Sequence, residues 1–319
     1  MSDWVPGDWR PTAALSALQA RAALLSVVRD FFAQRAVLEV ETPLLASAPV
    51  TDPAIDAFSL QQAPLYLQTS PEYAMKRLLA AGSGPIYQLC KAFRMGESGR
   101  RHNPEFTMLE WYRPGFSLQQ LIDEVAALLG CVLGERPLRV YRFAEVFEQV
   151  LSVDLFTIED AALCELAQAR HGIAATDLTR DSAINLLFSH DIEPELGRGE
   201  YSFVRDFPAS QAALAKVGSD AQGRDVAQRF EGFVDGMELA NGYDELQDAS
   251  LLTQRFEHDL AQRQRDGQVT PPVDRYLLAA MAQGLPDCCG VALGFDRLLM
   301  LQLGVDRLSE VIAFPTERA

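Results

Sequence analysis

The sequence predicts an α+β fold built on a mainly antiparallel sheet, and three observations carry that prediction. Stretches that alternate apolar and polar residues, as strands do, are separated by helical stretches of unequal length with little regular βαβ rhythm. No repeat, low-complexity tract or linker interrupts the 319 residues. The composition, 48% hydrophobic and 23% charged, is that of a globular chain able to bury a large core.

The elements follow in order. Leu15, Leu18, Ala22, Leu25, Val28 and Phe32 recur at three- and four-residue spacing and predict an amphipathic helix over 12–36. "VLEVETPLL" then alternates as a strand, with Pro43 at its exit or at an edge. A short helix is predicted over 75–81, closed by the "GSGP" turn before "IYQLCKAFR". Ser117 and Gln120 form a capping-box pattern that opens a helix through Leu129, with Gly130 as its stop. The segment from about 134 to 225 reads as a helix-rich insertion in a single domain spanning 1–319. "GFVDGMELANGYDEL" is strand-like, and its "NG" signals a turn that would set Glu238 and Glu245 face to face across a hairpin. A charged helix over 249–266 precedes "CGVALGFDRLLMLQLG", in which Asp296 stands near the start of an apolar helix.

Charge and composition narrow the function. The net charge of -16 repels a phosphate backbone, so long nucleic acid is a poor partner. Only Lys76, Lys91 and Lys216 are lysines, which leaves nearly all positive charge on guanidinium groups suited to bidentate contact with phosphate or carboxylate. The five cysteines contain no CxxC pair and the four histidines no HxxxH, so neither a disulfide framework nor a zinc site is signalled. The opening "MSDWVPGDWR" lacks a basic and then apolar leader, and no apolar run is long enough to span a membrane. A reduced, cytoplasmic protein is the expectation.

There is no GxxxxGK[ST] loop, GxGxxG turn, GxSxG elbow or HExxH helix. What remains is the density of arginines and acids in "CKAFRMGESGRRHNPEFTMLEWYRPG". That combination suits nucleotidyl transfer, in which positioning and charge neutralisation supply most of the catalysis. For attack of a carboxylate on ATP, Arg94, Arg101 and Arg297 could hold phosphates, Glu238 and Glu245 could hold Mg²⁺, and Phe106 could stack on adenine. Each also has a structural reading: strand arginines and acids are more often solvated or scaffold pairs, and Phe106 and Tyr112 are ordinary core residues for a strand.

Taken together, "FFAQRAVLEVETPLL", "FRMGESGRRHNPEFTMLEWY" and "GVALGFDRLLML" resemble the three motifs of class II aminoacyl-tRNA synthetases. "TSPEYAMKRLL" and "ELANGYDEL" are similar to lysine-specific stretches of the lysyl enzymes. The likeness runs from about residue 15 to the C-terminus in the same order. It implies a six- or seven-stranded antiparallel sheet flanked by helices and a homodimer formed through the first motif. The first motif begins too early to leave room for an anticodon-binding β-barrel. The likeness is therefore greatest to the short paralogue family that adenylates (R)-β-lysine with ATP and Mg²⁺ and transfers it to a lysine of elongation factor P, with tRNA not expected as a partner. A tRNA-charging enzyme and a catalytically silent amino-acid-binding paralogue are the alternatives.

The resemblance also implies roles. Arg94 would grip the α-phosphate and the substrate carboxylate, His102 and Asn103 the ATP phosphates or ribose, and Phe106 the adenine. Arg297 would take the triphosphate beside Gly294, and Glu238 with Leu239 would line the nucleotide and hold Mg²⁺, with Glu245 as the second metal carboxylate. Ser70, Pro71, Glu72, Tyr112 and Glu245 would shape the amino-acid pocket. Two departures stand out. The second motif reads Arg94-Met95-Gly96 where Arg-Asn-Glu is usual, so Glu97 or a backbone carbonyl would replace the adenine contact. Ala292 stands where lysyl enzymes carry glycine, and its methyl would shape the pocket toward a β-amino acid.

Overall fold

A computed structural model describes residues 9–319, so the acidic, proline-containing start of the chain lies almost wholly outside the described residues. In chain order the elements are α1 (Leu15–Ala33), β1 (Leu38–Glu39), β2 (Leu45–Ala46), β3 (Tyr66–Leu67), α2 (Glu72–Ala80), β4 (Ile86–Phe93), β5 (Glu105–Pro114) and α3 (Leu118–Leu133). Next come β6 (Leu138–Arg142), α4 (Phe143–Leu151), α5 (Asp160–His171), α6 (Arg180–Leu187), β7 (Tyr201–Pro208), β8 (Val217–Ser219), β9 (Asp225–Val234) and β10 (Met237–Asp244). The chain ends with α7 (Ala249–Arg265), α8 (Arg275–Gln283), β11 (Cys288–Gly294) and α9 (Phe295–Leu303). The described residues form two compact units.

The first unit comprises the chain up to Phe116, Leu128–Gly134 and Gln247–Ala319. Its main strands run β1-β4-β5-β11, with β1 parallel to β4 and the other pairs antiparallel. The core packs one face of α1 on this sheet: Phe32 stacks on Tyr87 at 4.4 Å between ring centroids and meets Trp111 edge-on at 5.3 Å. Both α1 and α9 are fastened by a buried charge. Asp296 accepts from the Thr107 N–H at 2.6 Å and pairs with Arg21 at 2.6 Å. Asp296 stands in the first turn of α9, as expected, and at 2% exposure it also ties β5 to α1.

The second unit comprises Ser117–Ala127 and Glu135–Leu246, with strands in the order β10-β9-β7-β6 and β8 against β9. Only β6 and β7 pair in parallel. Helices α4 to α6 close over one core in which Phe143, Phe147, Phe188, Phe207 and Phe233 are all buried. The aromatic rings lie 4.5 to 6.4 Å apart and account for the density of phenylalanine in this stretch.

Several expectations need correction. The main-sheet strands of the two units number nine, four in the first and five in the second, where six or seven were expected. The helix opened by Ser117 runs past Gly130 to Leu133, and Gly134, at φ +87°, supplies the left-handed stop. The first helix buries Ala17, Leu24, Val28, Phe31 and Phe32 and leaves Leu15 72% exposed, so its stripe is rotated in the first turns. The segment read as helix-rich carries the strands β6, β7 and β8 as well. The turn assigned to Asn241-Gly242 does not exist. The chain turns at Asp235-Gly236, whose φ angles of +49° and +69° make the two-residue hairpin loop between β9 and β10.

Candidate active site

The loop between β4 and β5 is the phosphate-binding candidate. Arg94 leaves β4 with its N–H donating to Pro104 O (2.9 Å) and its Nε to Thr69 O (3.3 Å). Its guanidinium lies 5.2 Å from the Phe106 ring centroid and 3.6 Å from Glu97 Oε1. Arg94, Glu97 and Phe106, all expected at the nucleotide, are therefore brought together. Met95 is half exposed, and its N–H is held by Asp56 O at 2.8 Å. Gly96 follows at φ +84°, a conformation that a side chain in this position would strain, which gives the unusual Arg-Met-Gly run a backbone reason.

From α9, Arg297 Nη2 lies 2.6 Å from His102 Nε2 and its Nε 3.5 Å from Arg101 O. Arginine donates only, so the imidazole accepts and is neutral in this geometry. Gly294 precedes α9, and a Cβ there would already touch the Arg297 side chain at 3.6 Å. Asn103, expected at the ATP phosphates or ribose, is 8% exposed. Its Nδ2 donates to Glu105 O (2.6 Å) and its Oδ1 accepts from Thr316 N (3.0 Å), so the amide ties the C-terminal residues to the loop.

Farther along β4 and β5 lies the amino-acid pocket candidate. Cross-strand register sets Gln88, Glu110 and Ala292 in one row over β4, β5 and β11, with their side chains on one face. Glu110 is 2% exposed and accepts from Ser70 Oγ at 3.0 Å and from Tyr112 OH at 2.7 Å. Ser70 also accepts from the Glu72 N–H at 3.0 Å, which opens α2 after Pro71. Glu72 itself pairs with the buried Lys76 at 2.6 Å. Beside this row, burial pushes the Cys90 thiol up to about 12, Glu110 adding to the effect.

Sequence reasoning missed Glu110, although an acid inside the apolar run "TMLEWY" was a visible signal. It also missed Arg263, which is 3% exposed on α7. Its guanidinium donates to Thr51 O, Asp52 O and Ile55 O and pairs with Asp56 at 3.0 Å, anchoring the loop whose Asp56 carbonyl holds Met95. No residue pattern could have announced a clamp made on backbone carbonyls some 200 positions away.

In the second unit, Glu238 and Glu245 both belong to the β10 stretch, and Glu245 is 1% exposed. Seven residues of extended chain separate them by roughly 20 Å, so one ion cannot take both, and their joint metal role is corrected. The acid that comes beside Glu238 is Glu231 on β9, paired across the strands with Asn241. Burial pushes the Glu231 carboxyl up to about 8, with Arg229 opposing and Glu238 and Glu193 adding to the rise. Leu239 is buried. No cluster of three or more metal-ligating side chains occurs among the described residues.

A large, mostly antiparallel sheet carrying an arginine-rich loop, a following aromatic strand and a strand-to-helix arginine defines the class. Residues 7–318 match the tRNA synthetases class II (D, K and N), and the chain belongs to this family. Among its relatives, the Elongation factor P--(R)-beta-lysine ligase of Pectobacterium atrosepticum is 47% identical over 322 residues, which cover 98% of both chains. The proteins of that name from Salmonella dublin and Salmonella paratyphi B are each 47% identical over 321 residues, again 98% of both chains.

Proposed function

We infer that this protein is an ATP-dependent ligase that adenylates (R)-β-lysine and transfers it to a lysine side chain of elongation factor P. The observation that carries the reading is the 47% identity over 98% of both chains to ligases so named. The residue chemistry supports it, since a diamino acid brings two ammonium groups and the acids Glu110 and Glu72 are both bonded to Ser70.

In the first step a substrate carboxylate oxygen attacks the α-phosphorus, and the bond to pyrophosphate breaks. Arg94 would hold the carboxylate and α-phosphate together, which removes the entropy cost of their encounter. Arg297, aligned by His102, would hold the phosphate chain, and Phe106 the adenine. In the second step the acceptor amine attacks the acyl carbon, AMP leaves, and the amine proton departs with its phosphate.

Mg²⁺ fits the second unit's Glu231 and Glu238. Two neighbouring carboxylates suffice for an ion that keeps waters and binds phosphates, and a cation there would offset the burial and, after it, the neighbouring acids that raise Glu231. When bound, it would neutralise charge on the departing pyrophosphate. A homodimer and a cytoplasmic location complete the proposal; among the described residues no helix is long and apolar enough to cross a membrane.

The test is amino-acid-dependent exchange of pyrophosphate into ATP without tRNA, over α-lysine, both β-lysine enantiomers and ornithine, with Glu238→Ala as control. Exchange strongest with (R)-β-lysine and lost in the control is expected. No exchange with any of them would defeat the reading.

A further inference from the structure

One buried polar atom beside the pocket has no partner. Gln88 is 2% exposed, and its Oε1 accepts no hydrogen bond. Buried carbonyls of this kind are rare in native proteins, and a site that leaves one open calls for a donor. The side chain cannot simply turn away. Its amide bonds to the Cys90 thiol, to which Gln68 Nε2 also donates at 3.4 Å while donating to Lys91 O at 2.8 Å. The β4–β5 register puts Gln88 directly opposite Glu110, whose oxygens are oriented by Ser70 and Tyr112.

The spacing indicates which part of a substrate reaches this row. Arg94 touches Thr69 O, and the next residue, Ser70, touches Glu110. Consecutive Cα atoms are ~3.8 Å apart, so with their side chains the guanidinium and Glu110 stand about one short diamino acid apart. A carboxylate on Arg94 would place the far ammonium at Glu110. That ammonium has three N–H donors, more than Glu110 alone would satisfy in a buried space.

We propose that Gln88 is a specificity-determining residue whose side-chain carbonyl accepts one N–H of the substrate's distal ammonium beside Glu110. The proposal rests on the amino-acid-activating reading above. It assigns Gln88 to selection of the amino acid, with no part in ATP binding or in the chemical step.

The test is pyrophosphate exchange by the full chain with Gln88→Met, an apolar side chain of similar length, and with Gln88→Asn, which keeps the amide but withdraws it. Both variants are checked for folding by thermal unfolding. The KM for (R)-β-lysine is expected to rise about tenfold or more in each, with the KM for ATP unchanged. The inhibition constant of 3-aminohexanoate, which lacks the distal ammonium, should not move. A folded variant with an unchanged KM for (R)-β-lysine would overturn the proposal. So would an equal weakening of 3-aminohexanoate, because the effect would then be one of pocket shape. Absence of exchange in the unaltered protein would instead defeat the activating reading itself.

Discussion

Arg297 Nη2 meets His102 Nε2 at 2.6 Å, which joins the arginine of α9 to the loop between β4 and β5. The contact aligns a phosphate-binding guanidinium by an acceptor that must stay neutral. His102→Phe should therefore raise the KM for ATP about tenfold through loss of one hydrogen bond to a charged group, while His102→Gln, which keeps an acceptor, should recover most of it. Steady-state exchange kinetics check this, and equal effects of the two substitutions would rule the alignment out.

Glu110 is the buried anion of the pocket candidate. Replacing it with alanine leaves Ser70 and Tyr112 without their acceptor and the substrate ammonium without its counter-charge. A fall of ~100-fold in kcat/KM for the amino acid is expected, with the KM for ATP held within a few-fold. A variant limited equally in both substrates would instead mark Glu110 as scaffold.

Ala292 lies opposite Glu110 in the β5–β11 register, so its methyl faces the same pocket. Ala292→Gly should shift preference toward α-lysine by about tenfold, the scale of one methyl group in a binding pocket. The readout is the ratio of kcat/KM for α-lysine and (R)-β-lysine, and an unchanged ratio contradicts the prediction.

Arg263 holds the loop behind Met95. Arg263→Met leaves Thr51, Asp52 and Ile55 carbonyls without this donor, and a loss of about 3 kcal/mol or more in unfolding free energy is expected. Arg263→Lys should recover little, since one ammonium cannot reproduce the fork. Denaturant titration checks both variants, and a folded protein of undiminished stability would contradict the clamp.

Asp259 supplies a pH test. It accepts from Thr51 Oγ1 at 2.7 Å, and burial raises its carboxyl above the ordinary value. A raised folded-state value means that the folded protein holds the proton longer than the unfolded chain, so this contribution to stability is present at low pH and is lost as pH rises through the raised value. Asp259→Asn should match the parent below the ordinary carboxylate range and be the more stable protein at pH 7 to 8. Thermal unfolding across pH 4 to 8 reads the difference, and a gap that shrinks with rising pH would reverse the sign.

What was legible in the sequence is what is contiguous there. The second motif carries Arg94, Glu97 and Phe106 within 13 positions, and folding only had to close the loop between two paired strands to assemble them. Glu110 was visible as a charge in an apolar strand, but its meaning came from Ser70, 40 residues earlier. The Asn241-Gly242 pair failed as a turn signal because Asp235-Gly236 had already turned the chain and β10 pairs straight through it. That error also hid Glu231, which neighbours Glu238 only through the β9–β10 pairing.

Transfer to a protein acceptor can be measured directly. Purified elongation factor P incubated with this protein, ATP, Mg²⁺ and (R)-β-lysine should gain the mass of one β-lysyl group on a single lysine, with no gain when ATP is withheld. Attachment of the amino acid to purified tRNA, with elongation factor P left unmodified, would contradict it.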